Sequence, residues 1–442
     1  MTGDSASRLG WIEAPRAARA AWSSYAEFAR GVRADGLDHV LVCGMGGSSL
    51  APRVLAESFG ATHAGVLDST DPAAVRDAVA PAALDRTLFV ITSKSGTTVE
   101  TLACFEYFAA RARPDQFVAI TDPGTPLETR ARLEGFRDVV PHPMDVGGRY
   151  AALTAVGMLP AALMGIDGAE LLDRALALDV TSARALGSEL AAAAQSGRDK
   201  LVLQLPPRVA RLADWIEQLV AESTGKDGRG VVPVVGANAG TLPADAQAIA
   251  SFSDDPLDLG REFLRWEYAT WALCEALGVN AFDQPDVEDA KALARAELAR
   301  PGGPAPPLET LTPAALARAA RPGDYLAILA YLPPRRSVAT ALQQVRAQWQ
   351  ASLGVAATLG FGPRYLHSTG QLHKGGPNTG LFLVITADPE VDLEIPRMGT
   401  TFGRLEHAQA RGDIRALLDR GRRVAHVHCK HAGEVAHLAV LP

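Results

Sequence analysis

Apolar runs of strand length alternate with amphipathic stretches along the first third of the chain. Residues 14–34 have helical spacing, and DHVLVCGMG (38–46) is typical of a buried strand that enters a glycine turn. Further strands are predicted at 64–68, 87–93 and 116–121, and further helices at 49–59, 72–80, 97–112 and 126–134. Strands that alternate with helices predict a parallel sheet with helices on both faces.

A second α/β unit is predicted to begin near residue 165, with a strand at 201–205 and a helix at 208–223. PGGPAPP (301–307) is the predicted linker, because it fits neither a helix nor a central strand. Beyond it we predict strands at 325–332, 381–387 and 424–429 and a helix near 337–352. The predicted divisions are a first domain (1–164), the start of a second (165–300), and the linker with the remainder of the second (301–442).

The composition and charge of the chain argue against several classes of protein. The chain has 442 residues, of which 48% are hydrophobic, and a net charge of −7, which argues against a general nucleic-acid binder. No apolar run is long enough to span a bilayer, and the opening residues lack the blocks of a signal peptide. The four cysteines form no CxxC pair, so we predict a cytoplasmic protein with no disulfide framework or zinc knuckle.

Two loops that follow predicted strands have the residues of a phosphate site. GMGGSS (44–49) offers glycines for close backbone approach, and free N–H groups at a helix start favour an anion. SKSGTT (93–98) gathers hydroxyls and one lysine, which suit the oxygens of a phosphomonoester. The alternatives are a tight structural turn and a helix N-cap beside a solvated lysine. Because ligands of open parallel sheets lie at the carboxyl ends of strands, two such loops favour phosphate binding.

Two further segments offer charged groups. In GGRY (147–150), Arg149 could stabilise negative charge on a substrate oxygen, although a surface arginine after a turn is the commoner case. In EQLVAESTGK (217–226), Gln218 and Glu222 share one helix face, and Glu222 lies near the helix end, where a carboxylate can act as a general base. From the residues alone, a solvated Glu222 paired with Lys226 is favoured.

The remaining candidates lie in the second half of the chain. In NAFDQPDVEDAK (280–291), Lys291 is predicted to end a helix that starts after Pro285. HSTGQLHKGG (367–376) places two histidines and a lysine in a glycine-rich segment, and histidine suits proton transfer to a ring oxygen. HVHCKHAGEVAH (426–437) lacks a ligand set with metal spacing, so we predict no metal site.

Together these segments resemble the phosphoglucose isomerase family from about residue 38 to residue 376. The resemblance implies an α/β fold of two sugar-isomerase (SIS) domains, each a doubly wound parallel sheet. It implies an enzyme of glycolysis and gluconeogenesis that interconverts glucose 6-phosphate and fructose 6-phosphate through ring opening and an enediolate. It implies no metal and no cofactor.

The resemblance also implies roles for single residues. Glu222 matches the base that moves a proton between C1 and C2, Arg149 matches the arginine beside the enediolate, and Lys291 and His367 match the pair that assists ring opening. The implied substrate contacts are Gly47, Ser48, Ser93, Lys94, Ser95, Thr97, Thr98, Gly148, Gln218 and Gln371.

His367 fits the family motif better than His373, because the motif runs histidine, serine, two residues and glutamine, here Gln371. In most family members the histidine segment precedes the FDQ…K segment, whereas here it follows, an order that resembles the isomerase half of fused transaldolase–phosphoglucose isomerases. The implied partners are a second copy in a homodimer and a separate transaldolase, and the subunit that supplies His367 stays open.

Two alternative functions stay open at this point. A broader phosphoglucose/phosphomannose isomerase would use the same residues. A non-catalytic sugar-phosphate sensor would not need the set of Glu222, Lys291 and His367, so the presence of that set counts against it.

Overall fold

The structure, a computed structural model, describes residues 8–236, 243–300 and 306–439. The strands are β1 His39–Cys43, β2 Ala64–Leu67, β3 Thr87–Thr92, β4 Phe117–Thr121, β5 Asp138–Pro141, β6 Lys200–Leu203, β7 Val232–Val234, β8 Ala246–Ile249, β9 Tyr325–Tyr331, β10 Ala356–Phe361, β11 Gly380–Ala387, β12 Glu394–Ile395, β13 Thr400–Thr401 and β14 Arg423–Cys429. The helices are α1 Ala14–Ala34, α2 Leu50–Phe59, α3 Pro72–Asp77, α4 Val99–Ala109, α5 Pro126–Glu134, α6 Ala155–Met164, α7 Gly168–Leu176, α8 Val180–Gln195, α9 Leu212–Thr224, α10 Leu259–Leu277, α11 Glu288–Leu298, α12 Pro313–Arg318, α13 Arg336–Leu353, α14 Gly370–Gly375 and α15 Phe402–Asp419.

The first sheet has the order β2-β1-β3-β4-β5, and every neighbouring pair is parallel. Successive residues of β1 and β3 lie in two different hydrophobic cores, one on each face of the sheet. This confirms the α/β prediction and explains why the strands are continuous apolar runs. The prediction missed β5, an edge strand whose end residues Asp138 and Pro141 are exposed, so no buried apolar run marks it.

The strand order places the two predicted phosphate loops together. From β1 the chain crosses to β2 on one side, and it then returns to β3 on the other side. At such a reversal the loops that follow the two central strands diverge and leave a crevice. Residues 44–49 follow β1 and residues 93–98 follow β3, so both loops lie at this crevice.

Residues of the second half form parallel sheets of order β10-β9-β11-β14 and β7-β6-β8. Strand β10 packs against β7, and Val202 and Val234 share one core with Tyr325 and Ala327. The predicted boundaries at 164 and 300 stay predictions, and most of the predicted linker (residues 301–305) lies outside the described residues.

Two helix predictions need correction. The helix predicted from residue 208 begins at Leu212, because Pro206 and Pro207 lead into a 3₁₀ turn instead. Lys291 was predicted at the end of its helix but lies in the first turn of α11. The residues after Lys291 are good helix formers, so the helix continues to Leu298.

All four cysteines are buried and free. Burial raises the pKa of the Cys274 thiol to about 12 and the pKa of Cys43 further. In the parts of the chain described, no helix is long and apolar enough to cross a membrane.

Candidate active site

The GMGGSS loop lies directly against other segments of the site. Gly46 has a φ of +52°, and a Cβ there would overlap the carbonyl oxygen of His367. A Cβ on Gly47 would overlap the carbonyl oxygen of Gly148. The two glycines therefore allow this turn to contact both the GGRY turn and the histidine segment. The turn is structural as well as suited to an anion.

The hydroxyls of the SKSGTT loop form two close pairs. Ser93 Oγ lies 2.9 Å from Thr98 Oγ1, and Ser95 Oγ lies 2.9 Å from Thr97 Oγ1. Thr98 is the N-cap residue of α4, yet its side chain makes no capping hydrogen bond. The N-cap alternative therefore does not account for these hydroxyls.

Lys94 is held in place rather than solvated. Its Nζ donates to Asp122 Oδ2 (2.6 Å) and to the carbonyl of Met144 (3.1 Å). His142 Nδ1 lies 2.9 Å from the other oxygen of Asp122. Burial tends to raise the pKa of Asp122, but His142 and Lys94 outweigh it, so the pKa is lowered. An ionised Asp122 thus holds the lysine at the edge of the loop, with its third proton still available.

Arg149 and Glu222 form the central ion pair. Arg149 Nη1 lies 3.0 Å from Glu222 Oε1, and the two side chains are 4% and 14% exposed. Arg149 Nη2 donates to the carbonyls of Ala281 and Asp283 (2.9 Å each), and Nη1 donates to Gln284 Oε1 (3.2 Å). The FDQ segment therefore holds the guanidinium, and the surface-arginine alternative is wrong.

Lys226 pairs with Asp283 instead of Glu222. Its Nζ lies 2.8 Å from Asp283 Oδ1 and also donates to the carbonyl of Asn280. Burial, with the nearby charge of Arg149, lowers the pKa of Lys226. The alternative of a solvated Glu222 paired with Lys226 is therefore wrong, because the Lys226 side chain pairs with the loop that follows α10.

Gln218 connects the ion pair to the histidine segment. Its Nε2 donates to Glu222 Oε2 (3.0 Å) and to the carbonyl of His367 (2.8 Å), so the predicted shared helix face is observed. Its Oε1 is buried and has no hydrogen-bond partner among the described residues. That oxygen could accept a hydrogen bond from a substrate hydroxyl.

His367 contacts a carboxylate that the sequence reasoning missed. Its ring Nε2 lies 2.9 Å from Glu100 Oε1, and Glu100 is 5% exposed. Burial tends to raise the pKa of Glu100, but the charge and hydrogen bond of His367 outweigh it, so the pKa is lowered. The available signal was an acidic residue in the first turn of a helix whose following residues, from Ala103 to Phe105, are apolar.

His373 lies in the core instead. Its ring packs against Phe382, Tyr325 and Tyr365, with centroid distances of 5.2, 6.3 and 6.1 Å. Burial lowers its pKa well below the usual value, so the ring is neutral near pH 7. Of the two histidines, His367 is the one whose carbonyl accepts a hydrogen bond from Gln218.

Residues 25–241 match the phosphoglucose isomerase family. The match includes the loops at 44–49 and 93–98, Arg149 and Glu222, and it ends before Lys291 and His367. A probable glucose-6-phosphate isomerase from Haloarcula marismortui is 35% identical over 214 residues, which cover 44% of this chain and 49% of that protein. The glucose-6-phosphate isomerase of Citrifermentans bemidjiense is 36% identical over 215 residues, or 42% and 40% of the two chains. The chain thus spans about half the length of the curated relatives it matches.

A solved glucose-6-phosphate isomerase from Chlamydia trachomatis has a similar fold, with a TM-score of 0.53 and 19% identity over 62% of this chain and 72% of that one. This likeness concerns the fold alone and agrees with the parallel α/β architecture. Among the described residues, no three or more His, Cys, Asp or Glu side chains are grouped to hold a metal ion.

Two residues that the phosphoglucose isomerase resemblance put at the site lie apart from its centre. Lys291 Nζ pairs with Glu288 (2.7 Å) and its side chain is 41% exposed, although its charge helps to lower the pKa of Glu100. Gln371 is fully buried, and among the described residues its amide bonds to Gly225 and Asp286. Gln371 therefore ties the histidine segment to the end of α9.

Proposed function

We propose that this chain is an aldose–ketose isomerase that interconverts glucose 6-phosphate and fructose 6-phosphate. The observation that carries the proposal is the buried Arg149–Glu222 pair at 3.0 Å, linked by Gln218 to the His367 segment. The pair supplies a base and a cation at one point, beside loops suited to a phosphate. The family match over residues 25–241 and the names of the curated relatives support the same reaction.

Each group has a part in the proposed reaction. The loops at 44–49 and 93–98 hold the phosphate through backbone N–H groups, hydroxyls and Lys94. His367, oriented by Glu100, transfers a proton to the ring oxygen and opens the sugar ring. Glu222 then takes the proton from C2 of the aldose and returns it to C1, while the proton of the C2 hydroxyl passes to the C1 oxygen. Arg149 stabilises the charge that develops on the enediolate oxygen.

A coupled assay tests this function. Glucose 6-phosphate formed from fructose 6-phosphate is oxidised by a dehydrogenase and followed by absorbance, in parallel with mannose 6-phosphate as substrate. We expect turnover of fructose 6-phosphate, unchanged in EDTA. Equal turnover of mannose 6-phosphate would establish the broader isomerase, and no turnover of either sugar, with sugar phosphate still bound, would establish a sensor.

We also propose that the enzyme is cytoplasmic and works as a homodimer, as the family resemblance implies. We propose that each subunit supplies its own His367, because the His367 carbonyl accepts a hydrogen bond from Gln218 of the same chain. Light scattering after size-exclusion chromatography measures the oligomeric state. Addition of a separate transaldolase tests whether the two proteins associate.

A further inference from the structure

Gln409 on α15 contacts the carboxylate that holds His367. Its Nε2 donates to Glu100 Oε1 at 2.7 Å, the same oxygen that lies 2.9 Å from His367 Nε2. Its Oε1 accepts a hydrogen bond from Thr70 Oγ1 at 2.9 Å. Gln409 and Thr70 are 3% and 0% exposed, so water does not compete for these bonds. A four-residue chain thus runs from Thr70 through Gln409 and Glu100 to His367.

The chemistry of the groups fixes the orientation of this chain. An ionised carboxylate only accepts hydrogen bonds, so the NH₂ of Gln409 must face Glu100 and its oxygen must face Thr70. Because Glu100 Oε1 then has two donors, rotation of the carboxylate would break both bonds. The amide therefore limits where Glu100 can hold the imidazole.

Helix α15, which carries Gln409, is packed into hydrophobic cores on both sides of that residue. Its first turns, with Phe402 and Leu405, pack in a core of the first sheet, whereas Ala410 and Ile414 pack in a core of the second. Gln409 lies between these two contacts, so its position depends on both halves of the chain.

The same helix face also fixes the segment that carries His367. Asp413, one turn after Gln409, accepts a hydrogen bond from Tyr365 (2.6 Å) and pairs with Lys374 (2.6 Å), and the side chains of Asp413 and Lys374 are 1% exposed. Tyr365 and Lys374 lie on either side of His367. Helix α15 therefore holds both partners of the Glu100–His367 contact.

We propose that Gln409 is a positioning residue for ring opening, which holds the Glu100 carboxylate in the orientation that fixes His367. The proposal rests on the proposed isomerase function and adds to it a residue from outside the matched region. In this proposal Gln409 acts on His367 through Glu100, to which it donates a hydrogen bond.

Other ionisable groups near Glu100 do not replace this contact. His367 and Lys291 are the nearby positive charges, and Cys104 and Tyr331 also face it. Burial raises the pKa of the Cys104 and Tyr331 side chains well above their usual values, so both stay neutral near pH 7. Among the described side chains, those of Gln409 and His367 are hydrogen-bonded to the Glu100 carboxylate.

The variant Gln409→Leu tests the proposal through the pH profile of kcat/KM for glucose 6-phosphate. Loss of a hydrogen bond to a buried carboxylate raises its pKa, so Glu100 becomes protonated at a higher pH as the pH falls. We expect the acid limb of the profile to move upward by about one pH unit, and kcat/KM near pH 7 to fall about tenfold. Gln409→Glu, which can share a proton with Glu100 and still donate, should restore a profile close to that of the parent.

Gln116→Leu is the matched control, because Gln116 is another buried glutamine whose amide bonds to the carbonyls of Leu84 and Thr87, away from the site. It should lower the melting temperature and leave the pH profile in place. An unmoved acid limb in Gln409→Leu, or an equal shift in Gln116→Leu, would overturn the proposal. If Gln409→Leu does not fold, Thr70→Val is the second test. It must move the acid limb of the profile to higher pH by a smaller amount, and an acid limb that does not move would contradict the proposal.

A measurement without substrate separates this proposal from the proposed function. The ¹⁵N signals of the His367 ring, assigned by comparison with His367→Asn, report which ring nitrogen carries the proton. We expect Gln409→Leu to change these signals and Gln116→Leu to leave them unchanged. If the parent protein is inactive but Gln409→Leu changes the His367 ring signals, only the isomerase function is contradicted. If the parent is active but Gln409→Leu leaves these signals unchanged, only the role of Gln409 is contradicted.

Discussion

The two regions that build the candidate site are organised differently. The loops at 44–49 and 93–98 each join a strand to the helix that follows it, and the parallel order of β1 and β3 brings them together. The His367 region is built from distant segments, since His367 and Glu100 are 267 residues apart and Gln409 and Thr70 are 339 apart. The first region follows from local sequence, and the second exists only once both halves of the chain have packed.

This difference indicates that the two regions have different roles, one in substrate binding and the other in proton transfer. The local loops offer backbone groups and hydroxyls that suit a phosphate, and the strand and helix that each loop joins set its position, although Asp122 also holds Lys94. The groups proposed for proton transfer depend on long-range contacts that fix one side chain through another. Substitutions in the two regions should therefore differ in whether they affect binding or turnover.

The largest expected effect is that of Glu222→Gln, which lies where the two regions meet. The amide oxygen of the introduced glutamine can still accept a hydrogen bond from Gln218 or Arg149, but the amide cannot act as a base. We expect kcat to fall about 10²–10⁴-fold with little change in KM. Steady-state kinetics in the coupled assay measure both values, and a residual kcat above about a tenth of the parent's would place the base elsewhere.

The matched control for that variant is Glu189→Gln, because Glu189 is exposed on α8. Its kinetics should equal those of the parent. The neighbouring Glu217 is a poorer control, since burial raises its pKa to about 8, and its substitution would alter a partly protonated group.

His367→Ala comes next and tests the long-range region. We expect turnover of cyclic glucose 6-phosphate to fall about a hundredfold, and turnover of an analogue that cannot close its ring to fall much less. His373→Ala should instead lower the free energy of unfolding by about 1–3 kcal/mol, because it removes a ring packed against three aromatic side chains. Reversed results for the two histidines would mean that His373 opens the ring.

Lys94→Ala and Thr97→Ala test the local region and should mainly weaken binding. A hydrogen bond to a charged phosphate is worth about 1.5–3 kcal/mol, so KM should rise about 10- to 150-fold for each variant. Inhibition by a non-reactive sugar phosphate gives the same quantity without turnover. If neither KM nor inhibition changes, the SKSGTT loop lies outside the binding site.

The smallest expected effect is that of Lys291→Ala. Its side chain is 41% exposed and its ammonium group is paired with Glu288, and such pairs contribute little, so we expect a change in kcat/KM of no more than about threefold. A loss as large as that of His367→Ala would show that Lys291 moves into the site when substrate binds.

Much of the fold could be predicted because buried parallel strands have an apolar pattern that needs no partner to be recognised. The exposed edge strand β5 lacks that pattern and was missed. The short strands β7 and β8 and the edge strand β10 were missed as well, since none has a long apolar run. At the site, the loops, Arg149 and Glu222 could be found from local motifs. Glu100 was missed because its partner lies in another half of the chain, and Gln409 gave no signal at all, since a glutamine in an amphipathic helix has the same pattern whether or not it is buried.

Because all four cysteines are buried, this protein is well suited to site-specific labelling with a fluorescent dye. With its own thiols shielded from reagents, the folded chain should accept a single reporter dye at a newly introduced surface cysteine without prior removal of the native ones. Met144 is a suitable place, because it is 65% exposed and its carbonyl accepts a hydrogen bond from Lys94. A dye there would signal the arrival of an anion at the SKSGTT loop in real time, separately from any chemistry that follows.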